Sequence, residues 1–198
     1  IDKGPITVGE IIAVLPFGND PVVATVTGAE VKEILEHSVR LAPGENGGFL
    51  HVSGMRFTYD SNEEPGSRVI KMEVEQDDGN YVEMKLDKEY VITTNQFTAM
   101  GGDGFETFAK IYADGRVKNI GEIDWEQLRN YMVEEKYLNG IVDPVREGRI
   151  IDIARDEVPD DSEDPHKPGE EPKDPEDPRE QPKNPGDEPK DREKPGKD

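Results

Sequence analysis

From Asp160 to Asp198 the chain contains no Ala, Val, Ile, Leu, Met, Phe, Trp or Tyr. A stretch of that kind cannot bury enough apolar surface to offset the entropy of ordering it. Any core must therefore come from the residues before it, and nearly every apolar residue lies within 1–154. That length supports one sizeable core. The expected organisation is a globular domain over 1–154 and a disordered, acidic, Pro-rich tail over 155–198. The tail repeats a loose unit of Pro, a basic and an acidic residue, as in Glu171-Pro172-Lys173-Asp174-Pro175-Glu176-Asp177-Pro178. Frequent Pro favours extended, polyproline-like conformations, so the tail reads as a semi-stiff, solvated spacer.

The 198 residues carry a formal net charge of −21 and no basic run. Phosphate backbones would be repelled, which argues against a nucleic-acid partner. There is no cysteine, hence no disulfide, no thiolate metal site and no cysteine nucleophile. Three histidines stand far apart and make no metal site. No apolar run is long enough to span a membrane. Neither a signal peptide nor an initiator Met is present, so the sequence reads as a piece cut from something longer.

Two capping boxes mark helix starts, Thr7-Val8-Gly9-Glu10 and Thr27-Gly28-Ala29-Glu30. The first opens a short helix ended by Pro16. The second opens a helix with Val31, Ile34, Leu35, Ser38 and Val39 on one face and Lys32, Glu33, Glu36 and Arg40 on the other. His37 lies on that helix as a surface or boundary residue. Between them, Pro21–Val26 is a β-branched strand. Further strands are expected at Phe49–Val52, Gly54–Asp60, Val69–Glu75, Tyr81–Met84 and Tyr90–Thr94, with a hairpin turn at Asp78-Gly79-Asn80. A short helix should cover Gly104–Ile111. Another, capped at Asp124, should run to about Lys136 with Trp125, Leu128, Tyr131 and Met132 inward. A last short strand is expected over Gly148–Ile153. Helices mixed with hairpins give an α+β class with a mixed, largely antiparallel sheet and packed helices.

The densest stretch is Thr93-Thr94-Asn95-Gln96-Phe97-Thr98-Ala99-Met100-Gly101-Gly102-Asp103-Gly104-Phe105. Its glycines allow positive φ and close approach, Asp103 adds an acceptor, and Phe97 and Phe105 add flat apolar rings. Two readings stand. It can be a tight strand-to-helix turn whose phenylalanines enter the core, or a loop made to receive a small polar ligand with a flat face. Residues 101–105 differ at one position from the GGDEF signature of diguanylate cyclases. The acidic fourth position of that signature is Gly104 here, and the surrounding strands give it no support. No P-loop, GxSxG, HExxH or GxGxxG occurs.

Several segments together resemble the C-terminal domain of the 5′-nucleotidase / UDP-sugar hydrolase family. They are Ile6-Thr7-Val8-Gly9-Glu10-Ile11, Leu15-Pro16-Phe17-Gly18-Asn19, Thr27–Lys32, Leu35–Val39, Phe49–Arg56, Pro65–Val69, Thr94–Phe105 and Glu147–Ile150. They run in order from about Ile6 to Ile153. The resemblance implies that Phe17 and Phe97 stack on either side of a nucleoside base, that Asp103 accepts from ribose hydroxyls, and that Gly101 and Gly102 shape that loop. It also implies a separate N-terminal metallophosphoesterase domain, holding two divalent metal ions and performing hydrolysis. This chain holds none of those ligands, so no cofactor is expected in it and it should hydrolyse nothing alone. The expected partners are a nucleoside or nucleotide and that catalytic domain. Family and tail together suggest a secreted or bacterial cell-surface protein. The alternative is a non-catalytic surface interaction module displayed on the Pro-rich spacer.

Overall fold

Two threonines start the first two helices. In the computed structural model, which describes residues 4–134, 138, 140–143 and 145–155, Thr7 opens α1 (Val8–Val14) and Thr27 opens α2 (Gly28–Ser38). In each box the threonine hydroxyl accepts from the N3 amide, and the N3 carboxylate, Glu10 or Glu30, accepts from the threonine amide. Both pairings satisfy amides that a helix start leaves open. The strand between them, β1 (Pro21–Thr27), feeds α2 without an intervening loop.

The strands form two sheets rather than one. β1 lies at the centre of the first, flanked antiparallel by β5 (Glu89–Asn95) and β6 (Val117–Asn119). The second has the order β4 (Tyr81–Glu83), β3 (Val69–Glu75), β2 (Met55–Tyr59), β7 (Ile150–Asp152). Its pairs are antiparallel except β2 with β7, which is parallel. The class is α+β with mixed, largely antiparallel pairing.

α2 packs against both β1 and β3, and its apolar face enters the core as its spacing predicts: Val31, Ile34 and Leu35 are buried, as is Val39 just after it. Phe57, Phe105, Phe108 and Ile111 complete that core. Each such side chain contributes roughly 1.5–3 kcal/mol on burial. Phe105 precedes and Phe108 lies on α4 (Glu106–Ala113), which follows the glycine-rich turn.

Four expectations need correction. Glu36 is buried at 8% exposure, not solvated. The start of β3 crosses over that side of α2, and the Glu36 carboxylate accepts from the amides of Arg68 (2.9 Å) and Val69 (2.8 Å). Arg68 in turn donates to the carbonyls of Val39 and Ala42, closing the C-terminal end of α2. Phe49–Val52 is not a strand, because its amides find local partners: Phe49 N–H donates to Asn46 O and Leu50 N–H to Ser38 Oγ. Asp124 does not cap α5 (Asp124–Val133) from outside; it is the first helical residue, after Ile123. The helix ends at Val133, where Glu134 turns extended, and Tyr131 is exposed. Trp125, Leu128 and Met132 are only half-buried, since α5 rests on the surface beside α1. The expected tail lies, after Arg155, outside the described residues.

Candidate functional site

The antiparallel register of β1 and β5 pairs Pro21 with Asn95. That pairing sets the turn before β1 beside the turn after β5. The contact continues past the sheet: Gln96 N–H donates to Asp20 O at 2.8 Å. The Asn119 amide of β6 donates to the Asp20 carboxylate at 2.9 Å. Asp20 and Gln96 thus join the two turns that carry Phe17 and Phe97. On the other side Asn19 N–H donates to Asp124 Oδ2, and Asp124 N–H to Asn19 O, fixing the Phe17 turn to the start of α5.

β5 continues directly into a one-turn helix, α3 (Gln96–Ala99), capped by the Asn95 side chain accepting from Thr98 N–H at 2.8 Å. Thr98 and Ala99 turn inward and Phe97 turns out. The two phenylalanines of this stretch therefore part ways. Phe105 is in the core at 2% exposure, as expected of a connecting turn, while Phe97 is 52% exposed. Phe17 is 86% exposed. Two large rings left in water at one end of a sheet forgo several kcal/mol of burial between them.

Gly101 has φ 95°, a backbone region that costs glycine nothing. Gly102 is held by contact rather than by φ: a Cβ there would stand 2.6 Å from Cδ1 and Cζ of Phe97. The bare backbone of Gly102 is the seat of the Phe97 ring. Asp103 follows at φ 55°, ψ 19°, the left-handed region that disfavours L-residues. Among the described residues its carboxylate makes no hydrogen bond or ion pair, and the side chain is exposed. Its carbonyl is held by His37 and Arg40 of the α2 end, at 2.9 and 3.3 Å. Sequence reasoning left those two out of the site, since nothing in the spacing joins residue 37 to residue 103.

The structure thus gathers Phe97, Gly101, Gly102 and Asp103 into successive turns and ties the Phe17 turn to their start. A cleft of ≈ 720 Å³ opens at the same end of the sheet, between the end of β5 and α5, lined among others by Pro21, Asn95, Asp124, Gln127 and Tyr131. Its lining includes neither ring. At the other end of β1, Arg116 donates to both Glu30 carboxylate oxygens, at 2.9 and 2.6 Å. The Arg116 hydrogen bonds, aided by those from Thr27, overcome the opposing effect of burial and lower the Glu30 pKa to about 2. Among the described residues no three of His, Asp or Glu are grouped to hold a metal ion. No helix among them is long and apolar enough to cross a membrane.

The fold is that of a known domain class. The family model "5'-nucleotidase, C-terminal domain" matches residues 1–110. The chain belongs to that family. Trifunctional nucleotide phosphoesterase protein YfkN of Bacillus subtilis (strain 168) is 36% identical over 153 residues, 77% of this chain and 10% of the relative. Snake venom 5'-nucleotidase of Naja atra is 31% identical over 153 residues, 76% of this chain and 28% of the relative. The crystal structure of a 5'-nucleotidase precursor from Thermus thermophilus matches with a TM-score of 0.70 at 40% identity, over 77% of this chain and 29% of that one. The chain thus spans no more than about a third of the length of these proteins.

Proposed function

We propose that this chain is the nucleoside-recognition domain of a 5′-nucleotidase-type phosphohydrolase acting in nucleotide breakdown. The base stacks between Phe17 and Phe97, and the ribose hydroxyls donate to Asp103. Gly101 turns the loop at positive φ and Gly102 lets it run close beneath the Phe97 ring. The observation that carries this reading is the pairing of two exposed phenylalanines on turns joined through Asp20 and Gln96, with a left-handed aspartate of unengaged carboxylate on the same loop. Stacking on an aromatic ring contributes about 1–3 kcal/mol per base and tolerates any base. A carboxylate is a strong acceptor for the vicinal hydroxyls of a sugar.

The chemistry itself belongs, on this reading, to a separate metallophosphoesterase domain with two divalent ions. Two-metal hydrolysis needs both ions to activate water and to stabilise the leaving oxygen. On the same reading the part played by this chain is to bind and orient the nucleoside end of the substrate. Action outside the cell is part of the proposal, supported by the venom protein among its relatives.

The test is a double variant, Phe17→Ala with Phe97→Ala. Both rings are exposed, so the fold should survive while saturable adenosine binding disappears. Unchanged adenosine affinity in a folded double variant refutes the assignment.

A further inference from the structure

A backbone carbonyl in the glycine-rich turn receives two donors 66 and 63 residues away in the chain, one from the last turn of α2 and one just past its end. His37 Nε2 lies 2.9 Å from Asp103 O. A carbonyl only accepts, so Nε2 carries the proton and donates. Arg40 Nη2 donates to the same oxygen at 3.3 Å, and Arg40 Nη1 donates to His37 O at 2.7 Å. The guanidinium therefore bridges the helix end and the loop. The His37 ring also packs on Phe105, centroids 4.5 Å apart. Gly48 closes the other side, where a Cβ would stand 3.1 Å from the Asp103 Cβ.

Asp103 needs such support. At φ 55° its backbone is in a region that L-residues adopt only when their surroundings over-determine it. No cap hydrogen bond from a side chain holds the 3₁₀ turn Gly102–Gly104 itself. Thr107 Oγ1 donates to the Glu33 carboxylate at 2.9 Å, so α4 is tied to α2 just beyond the turn. The contacts on the Asp103 carbonyl come from the last turn of α2 and the residue two past its end, and their common effect is to hold the backbone that carries the exposed carboxylate.

We propose that His37 is a positioning residue for nucleoside recognition: its Nε2–H, with Arg40, holds the Asp103 carbonyl and so presets the carboxylate that receives the ribose hydroxyls. This rests on the reading of the loop as a nucleoside site. His37 touches no substrate in this account. It removes from the binding event the cost of ordering the acceptor, which is how preorganisation raises affinity.

The experiment uses the 198-residue chain, adenosine as the probe, and NMR titration as the readout for the parent, His37→Leu and His37→Gln. Glutamine places an amide N–H close to where Nε2 stands, and leucine places none. His37→Leu should weaken adenosine binding about tenfold, the effect of losing one orienting hydrogen bond, with the Asp103 and Gly104 amide shifts displaced before any ligand is added. His37→Gln should bind within about threefold of the parent. In the parent, the long-range ¹⁵N spectrum of the His37 ring should show the Nε2–H tautomer. Equal affinity for parent and His37→Leu overturns the positioning role while leaving the nucleoside site intact. Equal loss in both variants overturns the donor role and makes His37 a packing residue. A parent that binds no adenosine overturns the site itself, and this inference with it.

Discussion

Removing Arg116 isolates the ion pair that locks β6 and β1 to the start of α2. Its guanidinium gives Glu30 two hydrogen bonds and donates a third to Thr25 O. Both side chains are mostly shielded, at 30% and 23% exposure. The Glu30 pKa falls from 4.5 to about 2, and one pKa unit corresponds to about 1.4 kcal/mol. Allowing for solvent screening, the arrangement around Glu30 contributes about 2 kcal/mol at neutral pH. The sign follows from the depressed folded-state value. The unfolded chain binds the proton first, so the stabilisation is fully present above about pH 4.5 and is lost as pH falls toward 2. In Arg116→Ala the Glu30 carboxylate keeps only the Thr27 contacts. Urea unfolding at pH 7 should then show a loss of about 2 kcal/mol, equivalent to a fall in Tm of roughly 4–8 °C for a domain of this size. At about pH 2.5 the gap between parent and variant should shrink below about 1 kcal/mol. Asp114, exposed and 3.2 Å from the same guanidinium, adds only a small, solvent-screened term, and the carboxylates that do not touch Arg116 titrate alike in both proteins and cancel in the difference. A gap that stays the same at both pH values refutes the linkage.

Other positions give separate outcomes. Glu36→Gln retains one acceptor for two buried amides, and should lower the urea midpoint by about 2 kcal/mol of stability with an unchanged m value. Gly102→Ala places a methyl against the Phe97 ring; it should leave the fold in place, by circular dichroism, and weaken adenosine binding about tenfold by titration. At residue 103, thermal melts should rank Asp103→Gly about 1 kcal/mol above Asp103→Ala, because only glycine takes φ 55° freely. Both variants should bind adenosine more weakly than the parent, so the glycine variant separates backbone strain from recognition.

The local signals were readable in the sequence. Both capping boxes, the β-branched run of β1, the alternating β2 and β3 and the apolar stripe of α2 all rest on neighbours within a few residues. Contacts between distant residues were not. Helical spacing puts Glu36 with Lys32 and Glu33, and only the crossing of residues 68 and 69 over that face makes it a buried acceptor. Phe97 and Phe105 look alike in sequence, and the α3 turn sends one out and the other in. β6 and α3 are too short to leave a periodic trace. At the candidate site, Phe97, the glycines and Asp103 stand within one stretch and were legible as a group, whereas Phe17 lies far upstream and was joined to them only by the resemblance. The strain at Asp103 and its restraint by His37 and Arg40 depend on how α2 lies against the loop.

The central claim is nucleoside recognition at the joined turns. It is tested most directly by titrating the isotope-labelled chain with adenosine and with AMP and mapping the shifts. The account predicts saturable changes centred on Phe17, Phe97, Gly102 and Asp103, similar for the two ligands, with the Arg116–Glu30 end of β1 unaffected. Millimolar adenosine that shifts none of these four residues, or that shifts a different surface, contradicts it.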